Sequence, residues 1–173
     1  MIQMEEKSCV DAEHSSSRKE CQIAIKVTEE RNSIAMVLNE AVRQALTAGH
    51  LAHLVTLNPD GSPQVSVVWV GLDGDEIVCA HLGSYKKVKN IHRDPRVAMS
   101  MVTGGKTNNL DNYLVISGRA RVTEGGAPEL LNRLAQVYVG PGTNFLPDNA
   151  PGGYITHIQV EHIHGVGPWQ TRN

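Results

Sequence analysis

HLAHLVTLNPDGSPQVSVVWVGLDGDEIVCAHL, residues 50–82, decides the fold. Three apolar runs alternate here with two strong turn signals. His50–Leu57 is apolar and strand-like. Asn58-Pro59-Asp60-Gly61-Ser62 then combines a fixed φ at proline, side chains that bond their own backbone, and a glycine free to take positive φ. Val65, Val67, Val68, Trp69 and Val70 are the β-branched and aromatic residues that fit a pleated surface. Asp73-Gly74-Asp75 is a hairpin signal, and Ile77–Leu82 is a third strand. Turns this short join only antiparallel strands, so the stretch predicts a three-stranded meander.

Reading outward, Asn32-Ser33 offers a helix cap, and Ile34, Val37, Leu38, Ala41, Val42, Ala45 and Leu46 recur at helical spacing. A helix over 33–48, ended by Gly49, follows. Downstream, Ser84 can cap a short helix that Asp94-Pro95 stops. Val97–Val102 and Tyr113–Val122 read as strands, Glu129–Tyr138 as a helix with Leu130, Leu131, Leu134 and Val137 on one face. Residues 139–153 are a Gly/Pro-rich loop whose length suits a connector or a lid. Tyr154–Val160 is a last strand running on toward Gly165. The expected class is mainly β with flanking helices: a six-stranded antiparallel sheet curled into a barrel.

The chain has 173 residues, 40% of them hydrophobic, enough for one domain with a real core. Residues 1–32 are polar and aperiodic, an extension ahead of a barrel domain over 33–173; within them Ile23–Val27 could add a strand. The formal net charge is −2, and two Trp, four Tyr and one Phe are the only aromatics. Neither a broad basic surface nor a base-stacking platform is available, which excludes a nucleic-acid binder. Three cysteines (Cys9, Cys21, Cys79) without a CxxC pair do not make a disulfide framework, and no long apolar run forms a signal sequence or a membrane span. The expectation is a cytoplasmic protein.

Charge is distributed unevenly. Lys86, Lys87, Lys89, Arg93 and Arg96 stand against one acid, Asp94, so the window 84–96 carries +4 and the other residues −6. Such a cluster is either a solvated helix face or a site for a small anion. The helix start offers free N–H groups and a partial positive charge, Ser84 a hydroxyl, Lys86 and Lys87 two cations, and Asn90 an amide three residues on. Together these would fit the phosphate of a cofactor.

The order SPQVSVVWVGLDGDEI, then AHLGSYKKVKNIHRDPRVAMS, then GYITHIQVEHIHGVGPW resembles the pyridoxamine phosphate oxidase-like split β-barrel family. More narrowly, it resembles the flavin/deazaflavin oxidoreductases of the B branch, which use coenzyme F420. The resemblance covers about residues 35–170. It implies an FMN-binding split barrel type of fold and a homodimer with cofactor grooves at the interface. Carried over residue by residue, it implies that Lys86, Lys87 and Asn90 hold the cofactor phosphate and tail, with Ser84 close by. The ring would lie against the second and third strands, around Val65, Ser66, Val67, Val68, Ala80 and His81, and Trp169 would reach the groove from the partner subunit. Relatives that hold FMN carry basic residues where this chain has Ser66 and Gly71, which favours coenzyme F420 with FMN as the alternative. The implied activity is hydride transfer from reduced F420 to an electron-poor small-molecule substrate, with a non-catalytic F420, FMN or haem carrier as another outcome. Hydride transfer forces no acidic or basic side chain, so no catalytic residue is assigned.

Other residues carry two readings each. His81 is a hydrogen-bonded barrel histidine or a ring contact, and Trp69 packs in the barrel or meets the cofactor. His162 and His164 share a strand face, but without cysteines or carboxylates grouped around them no metal site is assigned. Cys79 reads as a small buried strand residue, and Arg93-Asp94-Pro95-Arg96 as a helix stop with an ion pair.

Overall fold

The computed structural model describes residues 36–147 and 149–169. The elements run α1 (Glu40–Thr47), β1 (Ala52–Leu57), β2 (Pro63–Val68), β3 (Gly71–Asp73), β4 (Glu76–His81), α2 (Lys86–Arg93), β5 (Arg96–Thr107), β6 (Leu110–Glu124), α3 (Ala127–Tyr138) and β7 (Tyr154–Val166). One seven-stranded sheet, every pair antiparallel, has the order β2-β1-β5-β6-β7-β4-β3. The mainly β class with flanking helices stands, with seven strands in place of six.

The extra strand explains the barrel. The apolar run Val65–Val70, read as one strand, breaks after Val68. β2 pairs with β1 at one edge of the sheet, whereas β3 pairs with β4 at the other. Trp69 and Val70 alone connect them, a link that can span only about 10 Å. The sheet must therefore curl until its edges nearly meet, closed by the chain rather than by a hydrogen-bonded ladder. The predicted meander is corrected accordingly: β1–β2 and β3–β4 are hairpins, but β4 joins β7, not β2. Tyr138 of α3 pins the crossing. Its hydroxyl accepts from the Val70 N–H at 2.9 Å and donates toward the His50 carbonyl at 2.9 Å.

The long pair β5–β6 extends beyond the predicted strands, through a register shift at Gly104-Gly105. It ends in a two-residue turn, Asn108-Asn109, with φ of 51° and 64°. Two positive φ values match the right-handed twist of the flanking strands, and asparagine tolerates them. The core fills the barrel with Leu54, Ile77, Met99, Leu114, Ile116 and Ile158, joined by Val42, Ala45 and Leu46 of α1. α3 covers the outside of β4 through Leu130 and Leu134 on Val78.

The first helix differs from its expected span 33–48. Residues 36–39 are not helical, and α1 starts after Asn39, whose side chain accepts from the Val42 N–H at 2.9 Å. Asn39 also donates to the Trp169 carbonyl at 2.9 Å, which fixes the cap against the C-terminal segment. The cap read at Asn32-Ser33, the Ile23–Val27 strand, Cys9 and Cys21 lie outside the described residues. No described helix is long and apolar enough to cross a membrane.

Candidate functional site

β4 delivers the chain to the lysine helix. After His81, residues 82–85 bend so tightly that the Tyr85 N–H meets the Gly83 carbonyl at 2.8 Å. α2 then begins at Lys86 with Tyr85 as its N-cap and no side-chain cap hydrogen bond. Ser84 was expected to cap this helix; it lies one residue too early, exposed in the bend. No side-chain oxygen caps the start of α2; the Val88 N–H already meets the Tyr85 carbonyl at 3.0 Å, so an anion there would be received by the N–H groups ahead of it.

Lys86 and Lys87 diverge. Lys86 is exposed, near enough to Asp60 of the β1–β2 turn to help hold that carboxyl low, although the Ser62 hydroxyl and N–H contribute more. Lys87 is half-buried toward β4, and desolvation lowers its pKa below the ordinary 10.5. Two groups that feel its charge, Cys79 and His81, are themselves neutral near pH 7. Burial pushes the Cys79 thiol up to about 12 and His81 down to about 4. His81 Nε2 pairs with the Thr156 hydroxyl at 3.0 Å, inside the barrel. The ring of Tyr85 lies 5.2 Å from Lys87 Nζ. Among the described residues no ion pair includes Lys86, Lys87 or Lys89.

Asn90 departs from expectation. It is 2% exposed, and its amide donates to the Thr56 hydroxyl at 3.0 Å and to Asn58 Oδ1 at 3.2 Å. Thr56 in turn donates to Gln64, and Arg93 reaches both Asn90 Oδ1 and the Leu57 carbonyl. Asn90 is a tie between α2 and the β1–β2 hairpin, not a free donor to a phosphate. Arg96 and Asp94 form the expected ion pair at 2.7 Å, which holds Asp94 down to about 2.

The remaining ring-contact candidates divide by face. Val65 and Val67 point outward from β2, each 57% exposed, whereas Val68 is core and Ser66 is half-buried beside Gln64. Ala80 lies with Trp69, Tyr138 and Ile155 under α3, and His81 points inward. β3 pairs only with Glu76–Val78, so β2 and the end of β4 flank the gap in the barrel. Trp169 is corrected. It follows β7 rather than lying on it, is 7% exposed in the core of its own chain, and its indole N–H donates to the Tyr113 and Val166 carbonyls at 2.8 and 3.0 Å. Trp69 stacks on Tyr138 at 5.1 Å with an interplanar angle of 13°, outside the barrel. Within the 139–153 loop, residues 142–146 are strapped to α3 by Asn132 and Gln136, and Phe145 lies on Trp69; this part is docked on α3. A cavity of about 350 Å³ between α3 and the sheet, lined by Val78, Leu130, Ile155, Asp73, Arg133 and His157, lies apart from α2.

The sequence reading missed Tyr85 and Thr156. Tyr85 was signalled only by an aromatic side chain directly before two lysines. Thr156 meets His81 from 75 residues away, and no local pattern announces it.

A family model described as pyridoxamine 5'-phosphate oxidase matches residues 38–166. No curated protein matches. Among solved structures, a protein named F420 reductase aligns with 25% identity and a TM-score of 0.59, over 73% of this chain and 98% of its own. A conserved hypothetical protein from Mycobacterium tuberculosis aligns at 22% identity and 0.59, covering 77% and 87%. An FMN-binding protein from Syntrophomonas wolfei aligns at 15% identity and 0.56, covering 90% and 97%; these last two share the fold.

Proposed function

The chain belongs to the pyridoxamine 5'-phosphate oxidase family, and from that premise we propose that it binds a phosphate-bearing deazaflavin, coenzyme F420, and serves its oxidation and reduction with a small electron-poor substrate. The observation that carries this reading is Lys87: a half-buried ammonium near neutral Cys79 and His81, with no carboxylate partner among the described residues. A desolvated cation without a counter-charge is costly unless a ligand supplies the anion. The residues present therefore fit a phosphate at the start of α2, with Lys87 holding it and the exposed side chain of Lys86 free to turn toward it.

When bound, the reduced deazaflavin supplies a hydride. The protein's part is to bind, orient and exclude water. Val65, Val67 and Ala80, on the strands flanking the gap, offer apolar surface to a flat ring. Ser66 and Gly71 leave β2 and β3 without the cations expected where FMN is held, and the F420 reductase is the relative that shares this fold at 25% identity. His81 is held neutral by burial and paired with Thr156, so it is not poised to carry charge to substrate. No general acid or base is assigned.

The same reading includes a homodimer. On the outer face of the sheet, the register sets Val67, His53, Ser100, Val115 and His164 in one row and Val65, Val55, Ala98, Ser117 and His162 in the next. Val102 and Tyr113 beside them are 67% and 43% exposed. A face this wide without a lysine, arginine or carboxylate in its two rows suits a partner surface, here a second copy.

Titration of the purified protein with F420 and with FMN, followed by fluorescence or calorimetry, tests the cofactor. Tight F420 binding is expected; tight FMN binding without F420 binding transfers the site to the flavin. Light scattering tests the dimer: an 18.8 kDa particle at working concentration removes it.

A further inference from the structure

Tyr85 stands outside every role assigned so far, yet the structure fixes it with care. Its backbone is held by the 2.8 Å bond from its N–H to the Gly83 carbonyl and by its place as N-cap of α2. Its ring lies across Gly83. A Cβ built on that glycine would stand 3.5, 3.7 and 3.8 Å from ring carbons Cζ, Cε1 and Cε2, which is ordinary contact. Over the same ring sits Lys87 Nζ, 5.2 Å from the centroid. The ring nevertheless remains 55% exposed, so it is not a core side chain held in place by burial.

A cation within about 6 Å of an aromatic face is attracted to the ring quadrupole. Lys87 has four rotatable side-chain bonds and, with no carboxylate partner among the described residues, little else to choose among its rotamers. The ring replaces the missing anion without neutralising the ammonium. A carboxylate at the same place would compete with an incoming phosphate; an uncharged π-face does not.

We propose that Tyr85 is a positioning residue of the anion site, holding the Lys87 ammonium by the face of its ring in the orientation that receives the phosphate of the cofactor. This deepens the cofactor reading above and rests on it. The ring contact also opposes the desolvation that lowers the lysine's pKa, so Lys87 without Tyr85 loses its proton more readily.

The test uses the full chain and the variants Tyr85→Phe, Tyr85→Leu, Lys87→Ala and Tyr85→Leu/Lys87→Ala, with F420 and FMN as the probes in calorimetry. Tyr85→Leu is expected to weaken the binding cofactor about two- to fivefold, the range of an exposed cation–π contact. Tyr85→Phe keeps the ring and stays within about twofold. Tyr85→Leu adds nothing once Lys87 is alanine, because the two residues act as one unit. A second readout needs no cofactor: NMR titration of 13C-methylated lysines should show the Lys87 pKa falling further in Tyr85→Leu and unchanged in Tyr85→Phe. A merely structural tyrosine leaves that pKa in place. Equal losses in Phe and Leu variants, or losses that add fully to that of Lys87→Ala, overturn the proposal. If Lys87→Ala binds like the unaltered protein, the anion-site reading fails instead, and the lysine titration still decides whether Tyr85 holds Lys87.

Discussion

Replacing Lys87 by methionine keeps the aliphatic stem and removes only the ammonium. The structure gives opposite signs for its two effects. In the unliganded protein the half-buried cation, with no carboxylate partner among the described residues, costs stability. Because half the side chain is still solvated, the discounted gain on its removal is about 0.5 kcal/mol. For a chain of this size that raises Tm by about 1–2 °C. Binding goes the other way. A charge-assisted hydrogen bond to phosphate contributes about 1.5–3 kcal/mol, so affinity falls by about one to two orders of magnitude.

The pH dependence supplies a third signature. The folded pKa of Lys87 lies below the ordinary 10.5 of the unfolded chain. Between the two values the unfolded state holds more protons, so stability rises as pH climbs through that window. The methionine variant lacks that rise. Thermal and urea unfolding without cofactor, at pH 8 and pH 10, and cofactor titration of the same variant measure all three. A variant that is less stable by about 1 kcal/mol or more, or that binds the cofactor within threefold of the unaltered protein, refutes the idea that this ammonium is reserved for a ligand.

Three further outcomes follow from the same geometry. His81 titrates near 4 when folded and near 6.5 when unfolded, so the unfolded chain takes up a proton the native state refuses. About 3 kcal/mol of stability is lost as pH falls from 6.5 to 4; urea unfolding should show this slope flattened in His81→Gln, and an unchanged slope refutes it. Asn90→Ala strands Asn58 Oδ1, removes one of the two bonds of the Thr56 hydroxyl, which keeps its bond to Gln64, and costs about 1–3 kcal/mol, with cofactor affinity of the folded protein kept within about threefold; a tenfold affinity loss at unchanged Tm would return Asn90 to the ligand. At Gly118, beside the β6–β7 register shift, a Cβ would stand 2.0 Å from the Gln159 carbonyl oxygen. Gly118→Ala should therefore lose more than about 3 kcal/mol or fail to accumulate as soluble protein, and near-native Tm would contradict the packing.

The sequence made local turns legible and left long-range pairing hidden. Asn58–Ser62 and Asp73–Asp75 form the hairpins their residues predict, because proline, glycine and self-bonding asparagine act within five residues. The place of β4 beside β7 rests on pairs such as Val78 with His157, and no local preference encodes a partner that distant. The break after Val68 was equally hidden. Trp69 and Val70 are good strand residues, and only the stacking of Trp69 on Tyr138, with the Tyr138 hydroxyl taking up the Val70 N–H, turns them into a crossing.

The two residues of the lysine helix that matter most show where spacing stops being informative. At about 100° per residue, Val88 and Ile91 define the buried stripe of α2, and Asn90 stands about 130° from its centre. Judged by the helix alone, Asn90 belongs to the open side with Lys86, free for a ligand. It is buried because the end of β1 and the β1–β2 turn cover that side and bring Thr56 and Asn58 to it. Lys87 lies about 70° from the same centre, where a long side chain can leave its stem buried and its ammonium near the margin. The helix thus shows two polar faces. One is satisfied by its own chain through Asn90; the other, Lys87 beside the ring of Tyr85, has no carboxylate partner among the described residues, and it is this face that the proposed phosphate would meet.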